Sequence, residues 1–136
     1  MLMEGQMKIA AIDRRKAIDQ SKTGRFEGQV SIHKLVAAPE ELDIEFQAVF
    51  FAAHSRTRPH IHERDQILYV IEGQAIVATD TGKRIVSAGE VAAIPAGVWH
   101  WHGATADAPM CHISIKGAGP SHFDVEEKDW ARGYDE

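Results

Sequence analysis

The sequence predicts an all-β domain built as an antiparallel barrel or sandwich, and three observations lead to this prediction. Short strand-like segments follow one another at regular intervals, and each is closed by Gly or Pro. The segment Asp80-Thr81-Gly82-Lys83 has the Asp/Gly composition of a tight hairpin turn. A helical hydrophobic period of useful length is missing before residue 120. With 136 residues and 44% hydrophobic content, the chain fits one domain with one core.

The strand-like segments can be placed in order along the chain. Residues 1–25 are polar and weakly periodic, and we interpret them as an N-terminal arm or peripheral strand. Strands are predicted at 29–36, 44–51, 67–72, 74–79, 84–86, 91–94, 98–102 and 110–116. Residues 55–59 read as a loop. Residues 120–136 form a predicted C-terminal tail, in which 124–130 can be a short helix. We therefore expect a single domain over 1–136.

Composition excludes several classes of partner. The net charge of -5 and the pI near 5.9 argue against nucleic acid or an anionic membrane surface. We find neither the apolar run of a signal peptide at the N-terminus nor the roughly 20 apolar residues of a spanning helix. The single cysteine, Cys111, excludes an intramolecular disulfide, which is compatible with a reducing compartment. We expect a cytoplasmic protein with no membrane association.

The histidine pattern between residues 59 and 102 predicts a metal site. His60 and His62 are two residues apart, so an extended backbone directs both imidazoles to the same side. Gln66 supplies an amide four residues later, and His100 lies in a second patterned segment. Imidazole nitrogen with amide oxygen suits a divalent transition metal, with Mn, Fe, Ni and Zn all compatible. A set of unrelated surface or capped-core histidines is the alternative, but it does not account for the spacing.

These residues resemble the two sequence motifs of the cupin superfamily. The first motif is Gly-x5-His-x-His-x3/4-Glu-x6-Gly, and the second is Gly-x5-Pro-x-Gly-x2-His-x3-Asn. The matching residues are His60, His62, Gln66 and Gly73 in the first motif, and Gly89, Pro95, Gly97 and His100 in the second. Ala53 or a neighbour replaces the first Gly, and Ala104 replaces the Asn. The resemblance implies the double-stranded β-helix, a jelly-roll-like antiparallel β-barrel with a metal inside, and we expect a homodimer.

Gln66 is the informative departure, because the family's usual ligand at this position is Glu. Three neutral histidines and a neutral amide leave the full charge of the ion uncompensated. The ion should therefore be a stronger Lewis acid and should favour an anionic ligand. Small monocupins with three His and one Gln include the manganese-dependent bacterial hydroxynitrile lyases. Residues 26–30, 99–104 and 110–115 also resemble that group, which is broader than one reaction and includes proteins labelled carboxymuconolactone-decarboxylase-like.

The resemblance implies manganese as the metal and a histidine base at His102 or His112. Strand alternation supports an inward position for His112, because Met110, His112, Ser114 and Lys116 share one face. A purely structural histidine is the alternative for both. Arg56 and Arg58 can steer an anionic substrate, or they can be solvated loop charges. His33, His54 and His122 read as surface or capping residues.

Three functions follow as hypotheses. The first is a metal-dependent enzyme on a small oxygen-bearing organic substrate, a hydroxynitrile-lyase-like C–C lyase that combines Lewis-acid and histidine-base catalysis. The second is a metal-dependent dioxygenase of a diketone or phenolic compound. The third is a non-catalytic ligand-binding cupin. The partner in each case is a small molecule.

Overall fold

The protein, described by a computed structural model over residues 1–134, is built almost entirely of β-strands. The strands are β1 (Ile18–Asp19), β2 (Phe26–Glu27), β3 (Val30–Val36), β4 (Ile44–Phe51), β5 (Arg56–Thr57), β6 (Ile61–His62), β7 (Gln66–Glu72), β8 (Gln74–Thr79), β9 (Gly82–Ser87), β10 (Val91–Ile94), β11 (His100–Ala104), β12 (Met110–Gly117) and β13 (Ser121–His122). Two 3-10 turns span Arg14–Lys16 and Trp130–Arg132. The all-β prediction is confirmed. Within residues 1–134, no helix is long and apolar enough to cross a membrane.

The strands form two large sheets and one small one, and every pairing is antiparallel. The six-stranded sheet has the order β1-β3-β4-β12-β7-β10, and the five-stranded sheet has the order β2-β5-β11-β8-β9. The small sheet pairs β13 with β6. Non-consecutive neighbours such as β12 between β4 and β7 are the crossovers expected of a jelly-roll-like barrel. The predicted cupin fold is thereby confirmed in its architecture.

The main core lies between the two large sheets. Buried residues from both contribute to it, among them Phe51 and Val70 from the six-stranded sheet and Val77 from the five-stranded sheet. Each such side chain contributes about 1.5–3 kcal/mol when fully buried. The strand alternation predicted for β12 is confirmed. Cys111 and Ile113 pack into a second apolar cluster on the outer face, and burial raises the pKa of the Cys111 thiol to about 12.

Two expectations about segment boundaries were wrong. The predicted loop at residues 55–59 contains β5, which pairs with β2 and β11. This two-residue strand is too short to show alternation, and it fits only because Gly103 lies opposite Arg56. A Cβ at Gly103 would come within 2.4 Å of the Arg56 Cβ. The strand predicted from residue 98 begins at His100, because the Val98 N–H donates to Pro95 O at 3.3 Å and closes a turn.

The two ends of the chain both contribute strands. In the predicted arm, β1 pairs with β3, and in the predicted tail, β13 pairs with β6. The helix that we allowed at 124–130 is limited to the turn Trp130–Arg132. The tail is described only to residue 134. The division into one domain over 1–136, with an arm at 1–25 and a tail at 120–136, stays a prediction.

Candidate metal centre

Three buried histidines meet at one end of the interior, where all three sheets come together. His60 and His100 form an isolated antiparallel bridge, with backbone hydrogen bonds of 2.9 and 3.1 Å in the two directions. His62 belongs to β6, which β13 holds in place. The three residues are 0–6% exposed, and their ligand nitrogens all lie within 4.8 Å of one another. The predicted histidine cluster is therefore formed in the structure.

In each of these imidazoles, Nδ1 points away from the cluster and is held by a hydrogen bond. His60 Nδ1 donates to Arg58 O at 2.7 Å, and His100 Nδ1 donates to Val98 O at 2.9 Å. His62 Nδ1 lies 2.6 Å from Ser121 Oγ. A carbonyl oxygen can only accept, so His60 and His100 carry their proton on Nδ1 and present a lone pair on Nε2. Such fixing of the outer nitrogen is the usual arrangement of histidines that bind metal.

Gln66, at the start of β7, is directed into the same cluster. Its Nε2 donates to Ser114 Oγ at 2.9 Å, which leaves Oε1 at 3.2 Å from His100 Nε2. Two acceptor atoms thus face each other. Among residues 1–134, the buried His62 Nε2 also has no hydrogen-bond partner. Buried polar atoms that converge without partners are costly, and a divalent cation bound between them would satisfy them. The residues fit the predicted metal.

Burial keeps the cluster in the neutral form that binds metal. The pKa of His60 is lowered well below its usual value, first by burial and then by the neighbouring His100 and His62. Burial is also the largest cause for His62, whose pKa falls to about 3, and for His100, whose pKa is lowered. Neutral imidazole is the ligand form, so these shifts favour metal binding at neutral pH.

A second histidine pair lies deeper in the same cavity. His102 extends from β11 and His112 from β12, and the two large sheets bring His112 Nε2 within 2.9 Å of His102 Nδ1. The centroid of the His102 ring is 5.5 Å from that of His60. Burial lowers the pKa of His112 to about 4, and burial followed by His112 lowers that of His102 well below its usual value. Both are neutral at pH 7 and able to accept a proton.

The cavity around these residues has a volume of about 360 Å³, within the size range of small-molecule sites. Phe123 stacks on His60 with ring centroids 4.7 Å apart, and the Arg25 guanidinium lies 4.9 Å from the Phe123 ring. Lys116 lines the wall near the metal cluster. The sequence motifs gave no sign of Ser121 or Phe123. Strand alternation places Lys116 on the same face as His112, and its side chain does line the cavity.

The two arginines before the first motif do not line this cavity. Arg56 is buried on the other side of the five-stranded sheet, where its guanidinium bonds to Glu27 and to Trp130 O and packs on Trp101. The sequence allowed Arg56 either to steer an anionic substrate or to be a solvated loop charge. Both expectations were wrong, because the side chain is 3% exposed and holds the C-terminal segment. Arg58 pairs with Glu127 at 2.8 Å.

The remaining histidines agree with a surface or capping position. His33 Nδ1 accepts from the Asp13 N–H at 3.1 Å. His54 stacks on Tyr134, and His122 Nε2 lies 2.6 Å from a carboxylate oxygen of Glu63.

Comparison with known proteins agrees with this site. Residues 49–116 match the family described as the cupin domain. An (R)-mandelonitrile lyase from Granulicella tundricola is 30% identical over 106 residues, 77% of this chain and 78% of that protein. A cupin-like protein from Thermotoga maritima is 28% identical with a TM-score of 0.77, covering 91% of this chain and 98% of that one. A polyketide cyclase from Streptomyces resistomycificus has the same fold, with a TM-score of 0.72, 19% identity and 92% of both chains covered. The chain belongs to the cupin family.

Proposed function

We propose that the protein is a metal-dependent lyase that cleaves the C–C bond beside the hydroxyl-bearing carbon of a small organic substrate, as a hydroxynitrile lyase does. The observation that carries the proposal is the neutral His102–His112 pair, which lines the same cavity as His60, His62 and Gln66 of the predicted metal cluster. The 30% identity to an (R)-mandelonitrile lyase supports the same reaction class. The metal we propose is manganese.

The roles divide between the two groups of residues. His60, His62, Gln66 and His100 would hold the metal, which supplies Lewis-acid polarisation of the substrate hydroxyl oxygen. Because all four ligands are neutral, they leave the charge of the ion available to the substrate.

The His102–His112 pair would then act as the base. The hydroxyl proton passes to the pair, the O–H electrons form the carbonyl, and the C–C electron pair leaves with cyanide. Cyanide takes up a proton from the pair, so that the products are an aldehyde and hydrogen cyanide and the protein is regenerated. The 2.9 Å hydrogen bond between the two rings already holds one proton, so the incoming proton binds another ring nitrogen and the positive charge can pass between the rings.

The test is metal analysis followed by turnover. Protein expressed without added metal is analysed for bound metals, loaded with Mn²⁺, and assayed for benzaldehyde release from mandelonitrile. We expect metal-dependent release. Oxygen uptake with diketone or phenolic substrates, without mandelonitrile cleavage, would replace the lyase with the dioxygenase. A folded protein that binds no divalent metal and turns over neither substrate would leave the non-catalytic ligand-binding cupin. The homodimer and the cytoplasmic location stay predictions.

A further inference from the structure

Lys116 is a buried lysine in the wall of the metal cavity. It lies on the inner face of β12, directly opposite Gln66 on β7 and Glu45 on β4. Directly opposed residues in an antiparallel pair point to the same face of a sheet. The residue is only 7% exposed, so its ammonium group is directed into the cavity and away from bulk solvent.

The contacts of the ammonium group are long for a buried charge. Its Nζ lies 3.4 Å from Gly119 O and 3.7 Å from Glu45 Oε1. Hydrogen bonds from nitrogen to oxygen are usually 2.7–3.2 Å long, and an ammonium group has three donors. Glu45 is also engaged elsewhere, because it accepts from Gln47 Nε2. A buried charge with weak partners costs free energy, and a bound anion would recover it.

The cavity as a whole has the opposite sign to the chain. Its charged lining residues are Arg25, Lys34, Glu45 and Lys116, a net formal charge of +2 with neutral histidines, whereas the chain carries -5. Arg25 and Lys34 are exposed at the rim, and Lys116 is deep. Lys116 also lies beside the metal cluster, because it is the register partner of Gln66. A cationic cavity concentrates anions.

We propose that the substrate carries a carboxylate that binds Lys116 while its reacting oxygen lies at the histidine cluster. Arg25 and Lys34 draw the anion in, and Lys116 replaces its long contact to Glu45 with a charge-assisted hydrogen bond to the substrate. The inference rests on the proposed function only in placing the reacting oxygen of the substrate at the histidine cluster. It narrows the substrate class to hydroxyl- or carbonyl-bearing organic acids.

The test compares ligands that differ in one charge. Mn²⁺-loaded full-length protein is titrated by calorimetry with succinate and with succinamate, in which a neutral amide replaces one carboxylate. Glutarate and glutaramate form a second pair of different length. In at least one pair we expect the dicarboxylate to bind about tenfold more tightly, the value of one charge-assisted hydrogen bond at a buried group. Equal affinities in both pairs would overturn the proposal.

Variants assign the discrimination to one residue. Lys116→Gln should abolish the preference for the dicarboxylate, and Lys116→Arg should keep most of it. Lys22→Gln removes the same charge from an exposed turn outside the cavity and should change nothing. If Lys116→Gln unfolds because Glu45 is left unpaired, Glu45→Gln/Lys116→Gln removes both charges and should also lose the preference. A preference that survives loss of the lysine would show that Lys116 is only the structural partner of Glu45.

This outcome is separate from that of the proposed function. The titration requires no turnover, so the preference can be found in a protein that does not cleave mandelonitrile, and the carboxylate inference would then stand without the lyase. Conversely, efficient cleavage of mandelonitrile together with equal affinity for each acid and its monoamide would leave the lyase and exclude the carboxylate.

Discussion

Two groups of buried histidines lie at one cavity, and they differ in the hydrogen-bond partners of their ring nitrogens. In the cluster of His60, His62 and His100, each Nδ1 bonds to an oxygen outside the cluster, and the carbonyl partners of His60 and His100 leave a lone pair on the Nε2 of both. In the pair of His102 and His112, the two rings bond to each other. The first arrangement fits a cation bound between the converging atoms. In the second, one ring donates to the other, and within residues 1–134 the buried His112 Nδ1 has no hydrogen-bond partner and is free to take up a proton.

The difference shows that the surrounding backbone and hydroxyl groups assign the chemistry of a histidine, whereas its burial does not. His100 and His102 are neighbours on the same face of β11, and both are at most 5% exposed. Their rings are nearly parallel, with an interplanar angle of 12°. Yet His100 bonds to the carbonyl oxygen of Val98, whereas His102 bonds to the imidazole of His112 from the opposite sheet. The comparison predicts that the two groups respond differently to substitution.

The largest effect is expected from His100→Ala, which removes one ligand from the cluster. We expect loss of bound metal and a fall in lyase activity of at least about 10³-fold, the several kcal/mol that a metal Lewis acid contributes. Metal analysis and benzaldehyde release measure the two quantities. The control is His54→Ala, which removes an exposed histidine outside the cavity. Full metal content in His100→Ala would contradict the assignment of the cluster.

His112→Ala should distinguish the role of the His102–His112 pair from that of the metal cluster. We expect unchanged metal content and a fall in kcat of about 10²–10⁴-fold, the range of general-base catalysis. The pH–rate profile should lose its acidic limb, because the group that must be deprotonated is gone. A profile identical in shape to that of the wild type, or a variant that also loses its metal, would remove the distinction between the two groups.

The fold and the cluster could be predicted from the sequence because their signals are local. The eight long strands each carry enough residues to show alternation or a Gly or Pro boundary, and the spacing of His60, His62 and Gln66 is fixed by one segment. The position of His112 also followed from alternation along β12. Each of these inferences needed only neighbours in the chain.

The parts that failed depend on contacts between distant segments. Strand β5 exists because Gly103 allows Arg56 to approach, and Arg56 is buried because the C-terminal turn at Trp130 covers it. The hydrogen bond between His62 and Ser121 joins residues 59 positions apart. No periodicity in one segment can reveal such pairs, since the second partner is set by the topology of the sheets.

Ser121→Ala tests how far the cluster depends on its outer hydrogen bonds. Removing the hydroxyl that contacts His62 Nδ1 at 2.6 Å should weaken metal affinity about 10–100-fold, the usual cost of losing such a support. A competition titration with a metal chelator measures the affinity. Ser31→Ala, on the strand β3 outside the cavity lining, is the matched control. An unchanged affinity in Ser121→Ala would mean that the other three ligands position the ion alone.

Gln66→Glu gives the cluster the negatively charged ligand that cupins usually have at this position. A carboxylate binds a divalent cation more strongly than an amide, so metal affinity should rise. The Lewis acidity of the ion should fall, and with it kcat, by about tenfold for roughly one pKa unit of lost polarisation. Gln66→Met, which offers no oxygen, is the opposite control and should lose affinity. A rise in both affinity and kcat would contradict the role given to the neutral amide.

The smallest effect concerns the stability of the metal-free protein at mildly acidic pH. Burial lowers the pKa of His112 to about 4 in the folded protein, whereas an unfolded histidine has a pKa of about 6.5. Between these values only the unfolded chain binds the proton. The stability that His112 contributes is therefore complete above pH 6.5 and is lost as the pH falls toward 4. One such histidine changes the free energy of unfolding by about 1.4 kcal/mol per pH unit in this window.

Urea unfolding at pH 7.5 and 5.5 should show a smaller loss of stability in His112→Gln than in the wild type. Equal losses would mean that His112 is not held neutral by burial, and the pair would no longer differ from an exposed histidine in its affinity for protons.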